Sequence, residues 1–387
     1  MSGSNSTPTL PQLFGSFLRL GATAFGGPAM IAYIRKMAVG RKGWMDGELF
    51  QAGVALCQTI PGATAMQMAA YVGLSVRGVR GAMTSFLAFG LPAFLLMLAL
   101  SVAYSHTHEL PAVISVFSGL RTVIVAVTAN ATLSFGRTSL KNWRNGAVAL
   151  AAAALFGIGA NPFLIILLAA LLGMLFDGRQ PVASGNSPSG NPAHTTRPLL
   201  LLVLLSAAAL AVLYALRRDL FDLALLMGKI DLMAFGGGFV SVPLMFHEFV
   251  EARGWMNSST FLDGIVLGQF TPGPIVITAT FVGYLVHGLS GAILASAAIF
   301  LPSFLMLVGM APWFDRLRSI PRFTRAIGGI LCSFVGLLLT VTVRFSLNVH
   351  WDWPHVVLAA AALAALVLKV DILWVVVGGT AVSAMIF

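Results

Sequence analysis

The chain is a succession of apolar segments separated by short polar loops, and this pattern limits the possible folds more than any other feature. Hydrophobic residues make up 58% of the 387 residues and charged residues only 9%, which is far from a soluble composition. The sequence therefore predicts an all-α polytopic membrane protein. The net charge of +10 comes mostly from loop residues that orient helices and contact the lipid bilayer, so no nucleic-acid partner is expected.

The apolar segments form two groups of six. The first group covers residues 11–38, 48–74, 81–104, 111–136, 146–159 and 161–176. The second group covers residues 220–247, 261–286, 289–311, 323–345, 356–368 and 372–387. The last two segments of each group are shorter than the ~20 residues of an untilted span, so they are either short spans or re-entrant hairpins.

A polar stretch and one isolated apolar run separate the two groups. Residues 177–198 have the Pro, Gly and Ser content of a flexible linker, and residues 199–216 are typical of a single connecting transmembrane helix. The predicted organisation is thus an N-terminal repeat over 1–176, the linker, the connecting helix, and a C-terminal repeat over 217–387.

The two groups share uncommon residues at one spacing, which indicates a duplication. Phe25-Gly26-Gly27 corresponds to Phe235-Gly236-Gly237, and further pairs follow at offsets of 210 or 211: Trp44 with Trp255, Gln58 with Gln269, Pro61-Gly62 with Pro272-Gly273, and Leu91-Pro92 with Leu301-Pro302. Because six is even, the connecting helix inverts the second copy. Inverted repeats are a recurring plan of secondary transporters, with the substrate near mid-membrane at the repeat interface. The excess of Lys and Arg in alternate loops favours a cytoplasmic N-terminus.

Glycine and proline interrupt an apolar segment four times, twice in each repeat. Such residues break a helix, and irregular backbone at membrane depth persists only where protein covers it or where it borders a water-filled cavity. The first turn of the following half-helix suits an anion. Each break alone is equally consistent with a kink or with close helix packing, but four symmetry-related breaks favour one shared cavity.

Charged residues inside the apolar segments are few. Among the cations these are Arg19, Arg121 and Lys229, and Arg19 and Lys229 each stand six residues before a Phe-Gly-Gly. Burying such a charge costs at least ~3 kcal/mol, which makes it a functional candidate. Two such cations beside two half-helix N-termini would suit a compact dianion. The alternatives are that they reach an interface, or that Lys229 pairs with Asp231 or Asp222.

The predicted substrate site combines these two cations with the residues of the breaks: Arg19, Lys229, Phe25, Gly26, Gly27, Pro28, Gln58, Pro61, Gly62, Gly236, Gly237, Gly238, Gln269, Thr271, Pro272, Gly273 and Pro274. Asp231 and Asp263 are the candidates for a coupling group, although Asp263 is equally explained as a residue favoured by a helix N-terminus. The His and Cys residues show no metal-ligand spacing, and no phosphate loop is present, so neither a metal nor another cofactor is expected.

Several of these motifs together resemble the chromate transporter family. They are the two Phe-Gly-Gly segments, ALCQTIPGA and LGQFTPGPIVITATFVGY, and the later FGLPAFLLM and IFLPSFLML. The resemblance implies a long-chain, two-domain member in the cytoplasmic membrane that expels chromate, using the proton-motive force, with sulfate as an analogue. A transporter of sulfate or another oxyanion and an anion channel are the alternatives. No nucleophile with a base or a metal is evident, so an enzyme is not expected, and the sequence leaves a homodimer open.

Overall fold

The computed structural model describes residues 7–25, 27–175, 193–314 and 320–386, and every regular element in these ranges is helical. Gly26 and residues 177–192 of the predicted linker lie outside them. Because every regular element in the described ranges is helical, the predicted all-α class is confirmed. The part of the connecting segment that is described begins its helix at Ala193, earlier than residue 199, and this helix contains Pro198.

The first repeat contributes seven α-helices. They are α1 (Leu10–Thr23), α2 (Gly27–Arg35), α3 (Gly47–Thr59), α4 (Thr64–Thr107), α5 (Pro111–Ser139), α6 (Trp143–Gly157) and α7 (Pro162–Leu175). The connecting helix is α8 (Ala193–Leu216). The second repeat contributes α9 (Arg218–Met233), α10 (Ser241–Phe246), α11 (Ser258–Phe270), α12 (Thr278–Met310), α13 (Pro321–Leu347), α14 (Trp353–Val367) and α15 (Ile372–Ile386).

The repeats begin corresponding helices with the same chemistry. Asp46 caps α3 by accepting a hydrogen bond from the Leu49 N–H at 2.7 Å, and Asn257 caps α11 by accepting one from the Thr260 N–H at 2.7 Å. A π-helical turn ends shortly before each cap, at Lys36–Arg41 and at His247–Ala252. Side-chain oxygens at these positions satisfy amides that the helix leaves without partners, so both copies start the helix at the same place.

Helices α4 and α12 are each a tight antiparallel hairpin rather than one long rod. The chain turns at Arg77–Gly78 in α4 and at His287–Gly288 in α12, where the backbone is non-helical. Across the first turn, Gly73 and Gly81 approach so closely that a Cβ on Gly81 would lie 2.2 Å from the Gly73 carbonyl oxygen. In α12 a Cβ on Gly291 would lie 2.1 Å from the Gly283 carbonyl oxygen, so both hairpins depend on glycine at their contact.

Five helical stretches among the described residues are apolar and long enough to cross a membrane. They are Thr64–Thr107, Pro111–Ser139, Thr196–Leu216, Ile275–Trp313 and Pro321–Leu347. Two of them contain the hairpins, so the second arm of each hairpin supplies the full-length helix. The most apolar stretch of α8 has no buried residue, as expected for a helix that faces lipid. The shorter helices α6, α7, α14 and α15 correspond to the segments that are predicted to be either short spans or re-entrant hairpins.

The chain forms two compact units, and each draws residues from both repeats. The first unit comprises Met1–Leu98, Pro181–Gly238 and Pro272–Pro321. Within it α12 packs against α8 and α9, and α1 packs against α4 with the rings of Phe17 and Phe89 edge to face. The second unit comprises Ala99–Gln180, Phe239–Thr271 and Arg322–Phe387, and in it α5 packs against α11, α14 and α15.

Alanine at the hairpin contacts should destabilise the protein. Gly81→Ala or Gly291→Ala forces a methyl group against a main-chain carbonyl that cannot move away alone, so we expect a loss of ~1–3 kcal/mol, seen as a lower melting temperature in detergent. Gly146→Ala is the matched control because nothing lies within 4 Å of the added atom. An equal effect of all three substitutions would contradict the close contact.

Candidate functional site

The helices are interrupted at all four predicted positions. The gaps fall between Thr23 and Gly27, between Thr59 and Thr64, between Met233 and Gly238, and between Phe270 and Ile275. Gly62 and Gly273 occupy equivalent positions in two of these breaks, with φ of 113° and 106°. A side chain is strained at such angles, so glycine is needed there.

Two main-chain hydrogen bonds join the breaks of one repeat to those of the other, all within the first unit. The Gly62 N–H donates to the Ala234 carbonyl at 2.9 Å, and the Gly273 N–H donates to the Ala24 carbonyl at 3.1 Å. Gly62 is equivalent to Gly273 and Ala24 to Ala234, so the two bonds are reciprocal, as in a twofold contact. The amides of Gly62 and Gly273 are consequently occupied by protein and not available to a substrate.

Each glycine break also packs against a residue that follows a helix proline of the other repeat. A Cβ on Gly62 would lie 2.3 Å from Ser303 Cβ, and one on Gly273 would lie 3.0 Å from Ala93 Cβ. Ser303 follows Pro302 in α12, and Ala93 follows Pro92 in α4. Only a small residue at each of these positions allows so close an approach.

Asp231 is buried beside one of these contacts. Its side chain is 2% exposed, and its Oδ2 accepts a hydrogen bond from the Ser303 N–H at 2.7 Å. The first repeat has Gly21 at the equivalent position, where a Cβ would lie 2.2 Å from the Phe89 carbonyl oxygen. The carboxylate therefore exists in one repeat only, because the other packs backbone against backbone.

Gln67 completes this cluster and was not predicted. It is fully buried, and its Nε2 donates to the Pro61 carbonyl at 2.5 Å. Its Oε1 is also buried and has no hydrogen-bond partner among the described residues. A buried polar atom without a partner requires an explanation, such as water or a bound ligand. We refer to Gly62, Gln67, Asp231 and Ser303 as the Gly62 crossing.

Arg19 and Lys229 are both exposed in the first unit. Arg19 lines an open cavity of about 540 Å³ together with Lys36, Arg41 and Lys42, whereas Lys229 is not among the residues that line it. No residue of the four breaks that the structure describes lines this cavity either. Thr23, next to the first break, is part of the wall.

The remaining predicted residues occupy varied environments. Gln58 is exposed, whereas Gln269 is half-buried with an Nε2 that has no partner among the described residues. The Thr271 hydroxyl donates to the Gly268 carbonyl at 2.8 Å. Pro61, Pro272 and Pro274 are buried, and Phe25, Gly236, Gly237 and Gly238 are half-buried. Pro28 follows the first residue of α2, and Gly26 lies outside the described residues.

Asp263 takes part in a buried ion pair in the second unit. Arg121 donates from Nε to Oδ1 and from Nη2 to Oδ2, both at 2.7 Å, and the Tyr104 hydroxyl donates to Oδ2 at 2.8 Å. Both carboxylate oxygens are thus occupied. The sequence predicted Asp263 either as a coupling group or as a residue favoured by a helix N-terminus. It did not predict the ion pair, because Arg121 lies 142 residues from Asp263.

Among the described residues, no group of three or more His, Cys, Asp or Glu could hold a metal ion. The predicted substrate residues offer cations, hydroxyls, carboxamides and main-chain amides. Such groups bind oxyanions.

Comparison with known proteins identifies one family. The family described as chromate transporter matches residues 11–174 and again residues 221–384, once in each repeat. An uncharacterized transporter of Methanocaldococcus jannaschii is 42% identical over 374 residues, covering 96% of this chain and 93% of the relative.

Two further relatives carry a substrate in their names. The chromate transport protein of Cupriavidus metallidurans is 31% identical and covers 93% of this chain and 88% of its own. The chromate transport protein of Pseudomonas aeruginosa is 30% identical, and the match covers 86% of this chain and 80% of the relative. No solved structure matches this chain.

Removing one partner of the buried ion pair should destabilise the protein strongly. Asp263→Leu leaves the Arg121 charge without its counter-ion and Arg121→Met leaves the buried carboxylate without its own, each at a cost of ~3–5 kcal/mol, whereas the double variant should lose much less. Melting temperatures of the two single variants and the double variant measure this coupling. Asp222→Ala, at an exposed residue of α9, is the control. Additive losses in the double variant would show that the pair does not act as a unit.

Proposed function

Because this chain belongs to the chromate transporter family, we propose that it exports chromate from the cytoplasm across the cytoplasmic membrane by alternating access. Family membership and the apolar helices make it a multi-pass membrane protein. The names of the relatives support chromate as the substrate. The observation that carries the mechanism is the reciprocal pair of hydrogen bonds between the helix breaks of the two repeats.

The proposed substrate site lies beside the breaks and uses Arg19 and Lys229. Chromate is a tetrahedral dianion, and Arg offers it a fork of donors while Lys offers a point charge. The first turns of α2 and α4 add main-chain amides that have no partner within the helix. Gly62 and Gly273 hold the breaks together rather than bind the anion, since their amides are occupied.

The membrane potential supplies the driving force in this proposal. A dianion that leaves a negative interior moves downhill by ~2.3 kcal/mol per charge for each 100 mV. The electrical part of the proton-motive force is therefore sufficient to drive export. A proton then has a different role, which is to control when the site opens.

We assign that coupling role to Asp231 rather than to Asp263. Asp231 holds a main-chain amide at the Gly62 crossing, next to two breaks. Protonation would remove the negative charge that makes this bond strong, and so would loosen the contact between α9 and α12. Asp263 already balances Arg121, and its protonation would leave that cation unpaired.

Loss of either proposed substrate cation should reduce transport. We expect chromate uptake into inside-out vesicles to fall at least about tenfold in Arg19→Ala and in Lys229→Ala, because a charge-assisted contact to the dianion is lost. Arg137→Ala, an exposed cation of α5, serves as the control. Saturable counterflow of chromate and of sulfate distinguishes a carrier from a channel and ranks the two anions. Unchanged uptake in both variants, at equal amounts of folded protein, would remove these residues from the site.

Asp231→Asn should separate the two components of the driving force. The variant keeps the size of the side chain, so we expect uptake driven by an imposed potential to persist while the response to an imposed pH gradient disappears. Asp222→Asn on the same helix should keep both responses. A variant that still responds normally to the pH gradient would exclude Asp231 as the coupling group.

A further inference from the structure

We propose that the cavity between α1 and the π-helical turn at Lys36–Arg41 is a second oxyanion site, which loads the dianion before it reaches the breaks. Arg19, Lys36, Arg41 and Lys42 line this cavity, and no acidic residue among those described does. None of these four cations forms an ion pair with a residue that the structure describes. Its volume of about 540 Å³ leaves room for a hydrated anion.

The π-helical turn brings the basic side chains together. In an α-helix, residues five apart are well beyond one turn and face different directions. A π-helix closes its turn with bonds between residues five apart, which turns Lys36 and Arg41 toward the same side, and both line the cavity. The Lys42 N–H donates to the Met37 carbonyl at 2.9 Å and fixes the end of the turn, with Lys42 on the cavity wall.

The second repeat shows that the fold does not require this charge. Its π-helical turn, His247–Ala252, places His247 where the first has Lys36, Glu248 where it has Met37, and Ala252 where it has Arg41. Arg253, the counterpart of Lys42, pairs with Glu248 at 3.5 Å. The same backbone is therefore stable with its charge balanced.

Like charges around one cavity repel each other, and a bound anion relieves that repulsion. A compact anion with two charges does so best, since each cation adds a favourable contact. Ser16 and Tyr33 also line the cavity, and hydroxyl groups of this kind donate to oxyanion oxygens. The ligand class is thus a divalent tetrahedral oxyanion, whereas the loading role and the choice of chromate as the loaded species rest on the proposed function.

Equilibrium binding of radiolabelled sulfate to the purified protein in phosphatidylcholine nanodiscs tests the site. We expect Lys36→Gln, Arg41→Gln and Lys42→Gln combined to weaken binding about tenfold or more. Arg19 is left unchanged so that the substrate site near the breaks stays intact. The control combines Arg80→Gln, Arg137→Gln and Lys141→Gln, exposed residues outside the cavity that change the net charge equally, and it should bind as the parent does.

Met37→Glu is the second variant, because it introduces the residue that the second repeat already carries as Glu248. It should fold normally and also weaken sulfate binding about tenfold or more, since a carboxylate then balances the cations. Equal losses of sulfate binding in the triple variant of the cavity and in the triple control variant would mean that only net charge matters, and would overturn the site. Sulfate binding in Met37→Glu as strong as in the parent protein would also overturn the site.

A lipid headgroup offers the same phosphate chemistry as a free oxyanion, so the measurement is repeated in phosphatidylglycerol nanodiscs. Binding that persists there supports a free oxyanion, whereas its abolition would mean that a headgroup occupies the cavity and would overturn the proposal. Chromate transport is measured separately. Cavity-dependent sulfate binding in a protein that moves no chromate would refute the proposed function and leave the site standing, and the reverse result would refute the site alone.

Discussion

Satisfaction of main-chain hydrogen bonds inside the membrane is the constraint on which the rest of this structure depends. A helix that stops at Ala24 or at Ala234 leaves carbonyls without a partner, and an unpaired polar group in hydrocarbon costs several kcal/mol. The reciprocal bonds from Gly62 and Gly273 satisfy one such carbonyl in each repeat. Each break is thereby stabilised by a break of the other repeat. Irregular backbone in one half of the chain requires irregular backbone in the other half.

Duplication sets the shape of this region, and divergence between the copies supplies its chemistry. The breaks, hairpins and π-helical turns recur in both repeats. The second repeat has Asp231 where the first has Gly21, and the first has Lys36 where the second has His247. Two identical inverted halves would make the states open to either side of the membrane equal in energy. In the proposed alternating access, one buried carboxylate and one basic cavity would distinguish the two states, since a ligand or proton can shift an equilibrium only through such a difference.

The sequence predicts local features well. Gly and Pro act on their own backbone, so all four breaks and most helix positions followed from the residues alone. The hairpin turns within α4 and α12 were predicted as boundaries between apolar segments. The boundaries of the repeats do not coincide with those of the compact units. Each repeat is continuous along the chain, whereas each compact unit combines segments of both repeats.

Pairings over long distances were not predictable. Asp231 meets Ser303 across 72 residues and Arg121 meets Asp263 across 142, and no periodicity within one segment reports such contacts. Gln67 carried a signal that was overlooked, since a glutamine six residues after Pro61 stands in an otherwise apolar run. The basic residues from Lys36 to Lys42 were treated as loop charges because a π-helical turn has no evident sequence signature.

The distribution of charge separates cations that hold the protein together from cations that remain available. Arg121 is 23% exposed and its charge is balanced by Asp263, so it presents little net field to a passing anion. The cations of the cavity are exposed, and hydration keeps the cost of their proximity small. No carboxylate that the structure describes pairs with them, and their field extends about 8 Å at physiological salt. The proposed binding of a dianion in the open cavity rests on this field, whereas the buried pair contributes stability rather than attraction.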